Sequence, residues 1–435
     1  MAELVFIVSD LHLGGAPGEG DRPGFQMCTR TARLRLAAFI HWVADQASNA
    51  RVVRLVVAGD IVDFLAEEDA RAAHGFSAFT ADEHAAQHKL ERIFKRTAEV
   101  WDALAYAATR VRLTLMMGNH DVELALPGPR RALLARLNGA AVELLLDGEA
   151  LSLGPVLIDH GNRSDPWNQI DHDTLRELRS ELSRREPTAR TLQTPGSELV
   201  VQVMNGLKTK YEFVDLLKPE TGAVLPLLAV LEPLKFSTLD ACATLAASKL
   251  RNRIDNDGKP RDGRKIGTVD EVGVVALAHN AAVPSACSGD DDLDLARELA
   301  HGSGAREVGS ESRGKQIGAI DTLLGFCETW RASQAPDRER LVLRLLKALR
   351  RLNRSDETFN VNHEREPYFG AARAAAKRRY KLVVYGHTHI VKRVDLGGGA
   401  TYLNTGTWAD LIRLPTNLET EDSVAVGTLD SFASD

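Results

Sequence analysis

Five short polar clusters dominate the chemistry open to this sequence. They are Asp10-Leu11-His12, Gly59-Asp60-Ile61-Val62-Asp63, Gly118-Asn119-His120-Asp121, Asp159-His160-Gly161 and Gly386-His387-Thr388-His389. Asp10, Asp60, Asn119, His12, His160, His387 and His389 together supply two carboxylates, one amide oxygen and four ring nitrogens, with His120 to spare. Hard and borderline divalent ions take such a mixture of O and N donors. Seven ligands are too many for one tetrahedral zinc and suit two adjacent ions that share a carboxylate. Any one of these residues alone would read as a turn residue or a helix cap, so the inference rests on the whole set.

The elements that must position these groups can be read around them. Leu4 to Val8, Val52 to Val57 and Val111 to Met117 are short branched apolar runs, each ending in one of the clusters, and they predict buried strands. Thr31 to Ala47 and Asp82 to Ala108 repeat apolar residues at helical spacing between them. A β-α-β-α-β order implies an α/β sheet with its reactive groups at the carboxyl ends of the strands. Ala141 to Leu146 and Leu151 to Ile158 flank Asp147-Gly148, which predicts a hairpin. Lys381 to Tyr385 is a further buried strand, and Ala400 to Asn404 with Val424 to Leu429 predicts a second hairpin. Residues 165–377 differ in character. There, helical stretches (Thr174 to Arg185, Leu234 to Leu250, Asp321 to Ser333, Asp337 to Leu352) alternate with polar loops at Asp255 to Arg264 and Ser288 to Gly314. The expected organisation is a catalytic core of residues 1–164 and 378–435, interrupted by a large, mainly helical cap at 165–377.

Asp-x-His, Gly-Asp-x-x-Asp, Gly-Asn-His-Asp, His-Gly and Gly-His-Thr-His, in that order, resemble the five motifs of the calcineurin-like metallophosphoesterases. Asn404-Thr405-Gly406-Thr407-Trp408 is similar to the Asn-Thr-Gly-Ser-Trp often found on the strand after the last motif. The resemblance covers nearly all of the chain outside the cap and none of the cap. It implies an α/β fold, a sandwich of two mixed sheets flanked by helices. Position by position, it implies one ion held by Asp10, His12, Asp60 and His389, and a second by Asp60, Asn119, His160 and His387, with Asp60 bridging. It also implies that Asn119 and His120 contact the scissile phosphate, that His120 is the general acid for the leaving oxygen, and that Asp121 orients its ring. Asp63 would orient a ligand rather than be one.

The activity expected from the resemblance is hydrolysis of a phosphate ester, a phosphodiester first, by attack of a metal-bridging hydroxide. Manganese is the expected metal, with iron or zinc compatible. The alternatives are a pyrophosphate hydrolase, a nuclease and a phosphomonoesterase. Ser9-Asp10-Leu11-His12-Leu13 is similar to the opening of the lipid A pathway enzymes that cleave UDP-diacylglucosamine between its phosphates, but many of those carry Arg where this chain has His120, and the cap here is very long.

Composition narrows the rest. The 435 residues carry a formal net charge of −6, which gives no global field to recruit nucleic acid or an anionic membrane. Four scattered cysteines without a CxxC exclude a disulfide framework and suit a reducing compartment. No segment reads as a signal peptide or a membrane span, so a cytoplasmic protein is expected.

Weaker patterns have ordinary explanations. Gly309 to Gln316 misses a P-loop by one position and lacks the preceding strand. His84 and His88, four apart on a helix, have no third ligand nearby. Arg163, Asp165 and Asn168 lie on the polar loop after His160, where Arg163 is the candidate to grip a phosphate bidentately. The Arg-rich stretch Asp337 to Arg354 fits a helix that packs its leucines and solvates its cations.

Overall fold

Branched apolar runs become strands here because both faces of each sheet are covered. In the computed structural model, which describes residues 3–18, 24–48, 52–73, 75–138, 142–218, 338–353, 357–414, 424 and 427, the strands are β1 (Glu3–Val8), β2 (Val52–Ala58), β3 (Arg112–Met116), β4 (Val142–Leu145), β5 (Leu151–Leu153), β6 (Val156–Ile158), β7 (Leu217–Lys218), β8 (Leu382–Tyr385), β9 (Lys392–Gly397), β10 (Ala400–Asn404) and β11 (Ile412–Arg413). They fall in two compact units, Met1–Leu216 with Phe359–Asp410, and Leu217–Thr358 with Leu411–Asp435.

The first unit holds two sheets. One has the order β1-β2-β3-β4 with every pair parallel, and the other has the order β5-β6-β8-β10-β9 and is mixed. Alternate residues of β2 show how the layers stack. Val53, Leu55 and Val57 face the core formed with helices α1 (Arg30–Asp45), α2 (Glu83–Arg96), α3 (Ala98–Ala108), α4 (Pro127–Arg136) and α5 (His172–Ser183). Val56 and Ala58 point the other way, into a second core shared with Met116, Leu151, Ile158 and Val384 of both sheets. The outer face of the mixed sheet is covered by the helix Tyr368–Lys377, whose Ala371, Ala372 and Ala375 pack on Val383, Tyr385 and Tyr402. The expected sandwich flanked by helices is what forms.

Three local expectations change. The Asp82 to Ala108 stretch is two helices, because Thr97 leaves helical geometry (φ −122°, ψ 33°) and its hydroxyl donates to the Ile93 carbonyl at 2.7 Å. Asp147-Gly148 is a crossover between sheets rather than a hairpin, since β4 pairs in parallel with β3 while β5 belongs to the other sheet. The real hairpin joins β5 to β6, Leu151 opposite Ile158. Likewise β10 takes β9 as its antiparallel partner, not Val424 to Leu429, of which the described residues Val424 and Gly427 are helical. The alternation of buried Lys392, Val394 and Leu396 ahead of Gly397-Gly398-Gly399 is the signal for β9.

In the second unit, β7 and β11 pair in parallel. The helix Arg338–Asn353 buries Leu345, Leu346, Ala348 and Leu349 and exposes Lys347, as an amphipathic packing helix does. The expected helices at 234–250 and 321–333, both polar loops and the P-loop-like run lie outside the described residues. No described helix is long and apolar enough to cross a membrane.

The Leu55 side chain is fully buried and the Leu34 side chain is 52% exposed on α1. Leu55→Ala is therefore expected to lower unfolding free energy by about 2–5 kcal/mol in a urea titration, against about 0.5 kcal/mol or less for Leu34→Ala. Equal losses would contradict the layer assignment.

Candidate metal centre and active site

The parallel pairing of β1 with β2 continues past both strands. The Asp10 N–H donates to the Gly59 carbonyl at 3.1 Å, the His12 N–H to Asp60 at 3.0 Å, and the Leu13 N–H to Ile61 at 3.0 Å. The backbone turns sharply at several of the polar positions. Asp10, His12, Asp60, His387 and His389 all sit in the left-handed region, with φ of 52°, 42°, 50°, 69° and 63°. For non-glycine residues that conformation costs of order 1–2 kcal/mol each, and strain of this kind concentrates at functional sites.

The turns bring five chain segments together. Asp10, His12, Asp60 and His389 have potential ligand atoms within 4.8 Å of one another, and so do Asp60, His160 and His387. Asp60 is common to both groups. Asn119 joins the second through its Oδ1, 3.3 Å from His160 Nε2. A third group consists of His12, Asp63 and His120. All but His120, His387 and His389 are buried.

Two features of the donor set call for a cation. The His160 Nδ1–H donates to the Ala58 carbonyl at 2.9 Å, which turns Nε2 toward Asp60 Oδ2 (3.2 Å) and Asn119 Oδ1. Three potential ligand atoms thus converge from three chain segments. Asp60 Oδ2 and His12 Nδ1 are also buried without a hydrogen-bond partner, an arrangement that is expensive unless a cation supplies the missing contacts. The residues fit a divalent-metal centre.

The sequence profile of the calcineurin-like phosphoesterases matches residues 4–211. These residues, a little under half of the chain, are similar to a calcineurin-like phosphoesterase domain, which supports the metallophosphoesterase superfamily. No curated protein and no solved structure matches it. The metal-dependent hydrolysis of phosphate esters is the family's chemistry, and the clustered Asp and His side chains are suited to it. The matched residues end before Gly386-His387-Thr388-His389, and it is the fold that returns that motif to the cluster through β8.

Electrostatics in the centre favour positive charge. Burial pushes the Asp60 carboxyl up, but the rings of His160 and His120 outweigh it and hold Asp60 well below the usual carboxylate range. Asp63 is lowered in the same way, with His120 and His12 overcoming its burial. Burial alone would lower His160 and His120. The carboxylates reverse this, Asp60 raising His160 to about 10, and Asp63 with Asp60 raising His120 to about 9.

Asp121 departs from expectation. Its two carboxylate oxygens accept the Gly118 and Ile61 N–H groups, each at 2.7 Å, so they tie the second and third motif loops together. The partner of the His120 ring is Asp63, whose Oδ1 lies 3.1 Å from Nδ1. Both sequence signals were present, since Asp63 sits five residues beyond the end of β2 as Asp121 does beyond the end of β3. Only the fold reveals which of them faces the ring. Arg163 is exposed on the short turn Asn162–Ser164. His84 and His88 are exposed, and His88 pairs with Glu91 at 3.3 Å. Asp165, on the polar loop after His160, places its Oδ2 2.9 Å from His387 Nε2.

Gly118 carries no Cβ because one would collide with the Asp60 carboxylate and its backbone nitrogen. In Gly118→Ala the displaced carboxylate should abolish stabilisation by divalent ions. The check is the rise in unfolding temperature on adding MnCl2, which is expected for the wild type and absent in the variant. A rise of wild-type size in Gly118→Ala would refute it.

Proposed function

We propose that this chain hydrolyses a phosphodiester at a dinuclear centre, with Asp10, His12, Asp60 and His389 holding one divalent ion and Asp60, Asn119, His160 and His387 the other. The observation that carries the reading is the shared Asp60, flanked on both sides by ligand groups of the right chemistry. Bound there, two divalent ions, manganese first, supply Lewis-acid charge to the phosphoryl oxygens and lower the pKa of an attacking water to about 7.

The chain's own residues do the rest. His120 has a side chain 17% exposed, at the edge of a cluster whose carboxylates are almost wholly buried. Asp63 takes its Nδ1, so Nε2 is the nitrogen left to reach a substrate. The attacking water gives up a proton to solvent, the resulting hydroxide adds to phosphorus, the bond to the leaving oxygen breaks, and that oxygen takes its proton from His120 Nε2. A poor leaving group gains most from such a donor, which favours an unactivated alkyl ester over an activated one, and a diester is the substrate assigned on this reading. Asn119, one residue away and buried against His160, is assigned a second contact with the phosphate, and Arg163 is assigned a peripheral one at the surface turn after His160. The free, buried Cys28 and the scattered cysteines support a cytoplasmic setting.

Asp60→Asn is expected to lose both ions by elemental analysis and to abolish Mn²⁺-dependent cleavage of a chromogenic diester. Two retained ions at wild-type rate would overturn the bridging assignment. His120→Ala should keep its metal content and lose about 10²–10⁴-fold in rate on an unactivated alkyl diester, with a much smaller loss on a nitrophenyl diester. Equal losses on the two substrates would remove His120 as the acid. Faster cleavage of the nitrophenyl monoester than of the diester would make the chain a phosphomonoesterase.

A further inference from the structure

The His387 ring has a carboxylate partner, Asp165, that lies outside the motifs. We propose that Asp165 is the positioning residue of His387: it accepts the Nε2–H of the ring and so leaves Nδ1 as the nitrogen offered to the ion shared with Asp60 and His160. The inference rests on the metal assignment above and extends it to a residue that none of the five motifs contains.

The geometry is specific. Asp165 Oδ2 lies 2.9 Å from His387 Nε2, and both side chains are about nine-tenths buried, at 10% and 7% exposure. The two oxygens of Asp165 have separate duties. Oδ1 accepts the Trp167 N–H at 2.9 Å, the ordinary local bond of a turn aspartate. Oδ2 is not needed for the turn, and it receives His387 together with the Asn168 side-chain amide at 2.7 Å. The loop that presents it is braced in turn. Asn162 Nδ2 donates to the Asn168 carbonyl at 3.1 Å, and the Gly196 N–H to the Trp167 carbonyl at 2.9 Å.

The His387 ring has little freedom beyond a flip. It lies between Tyr368, at 5.9 Å between centroids, and His160, at 5.3 Å. Its backbone N–H is fixed on the Asp10 carboxylate at 3.0 Å. What these contacts leave open is which nitrogen carries the proton. A carboxylate on the far nitrogen of a ligand imidazole settles that choice and orients the ring, and loss of such a partner costs about 10–100-fold in metal affinity.

The test uses the full-length chain as wild type, Asp165→Asn and Asp165→Ala. In the metal-free proteins labelled with ¹⁵N-histidine, the His387 signals (assigned by their loss in His387→Gln) report the tautomer. Wild type and Asp165→Asn, which keeps an acceptor oxygen, are expected to be protonated at Nε2, whereas Asp165→Ala populates both tautomers. Calorimetric titration with MnCl2 should then show one of two sites weakened about 10–100-fold in Asp165→Ala, and by only a few-fold in Asp165→Asn. Protonation of His387 at Nδ1 in the wild type would overturn the proposal, as would an Asp165→Ala protein with wild-type tautomer and affinities. A wild type that binds fewer than two ions would instead defeat the dinuclear assignment, while the tautomer measurement still decides the role of Asp165.

Discussion

Burying a carboxylate with nothing to neutralise it is among the more expensive things a fold can do, and the first unit is organised around one such group, Asp60. The His120 N–H is fixed on one of its oxygens and His160 approaches the other, while His12 lies within 3.7 Å. None of these neighbours is close to Asp60 in sequence. Each is delivered by a different strand end, so the strands must terminate at one level and turn inward at once. The left-handed backbone at five site residues is the local cost of that demand, and the continued β1–β2 pairing through Leu13 and Val62 keeps the turns from relaxing.

The two sheets divide the labour. The parallel sheet carries Asp10, His12, Asp60, Asn119 and His120 on loops after β1, β2 and β3, and the mixed sheet carries His160, His387 and His389 after β6 and β8. Their shared core, with Val56 and Ala58 against Ile158 and Val384, sets the distance between the two sets of ligands. Side chains behind the site fix it further. Asp121 ties Gly118 to Ile61, Asn404 binds the Gly386 carbonyl at 2.6 Å and the Thr388 hydroxyl at 3.0 Å, and Thr407 bonds the Asp10 carbonyl at 2.6 Å. Placement of this kind, on rigid strand ends with supported side chains, is what a site needing sub-ångström geometry requires.

Much of this was legible in the sequence for a simple reason. A strand buried on both faces is a run of branched apolar residues, and its end is marked by the first polar residue, so Asp10, Asp60 and Asn119 announced themselves by position. Pairing partners were not legible in the same way. Asp147-Gly148 has the composition of a hairpin turn, yet β4 goes to β3 because its apolar residues complete the parallel sheet, and nothing within that dipeptide encodes the choice. The first strand of the C-terminal hairpin, β9, is hard to read in the sequence because Lys392 and Arg393 mask its alternation, although Lys392 is buried and donates to the Asn360 carbonyl at 2.9 Å. Which carboxylate serves which histidine was also illegible, for Asp63 with His120 and Asp165 with His387 alike. Hydrogen-bond partnership across 57 or 222 residues is a property of the assembled fold.

The neighbouring strands β6 and β8 pair in register, Val156 opposite Leu382, across the whole length of the intervening chain. During synthesis this order has a consequence for the nascent polypeptide. The parallel sheet and its ligands leave the ribosome first, while β6 waits with one edge unpaired until β8, β9 and β10 are made. An open strand edge of that kind is a template for pairing with other chains. A product truncated before residue 382 lacks the middle strand of the second sheet as well as the last two histidines, so interrupted translation yields an aggregation-prone protein rather than a weakly active one.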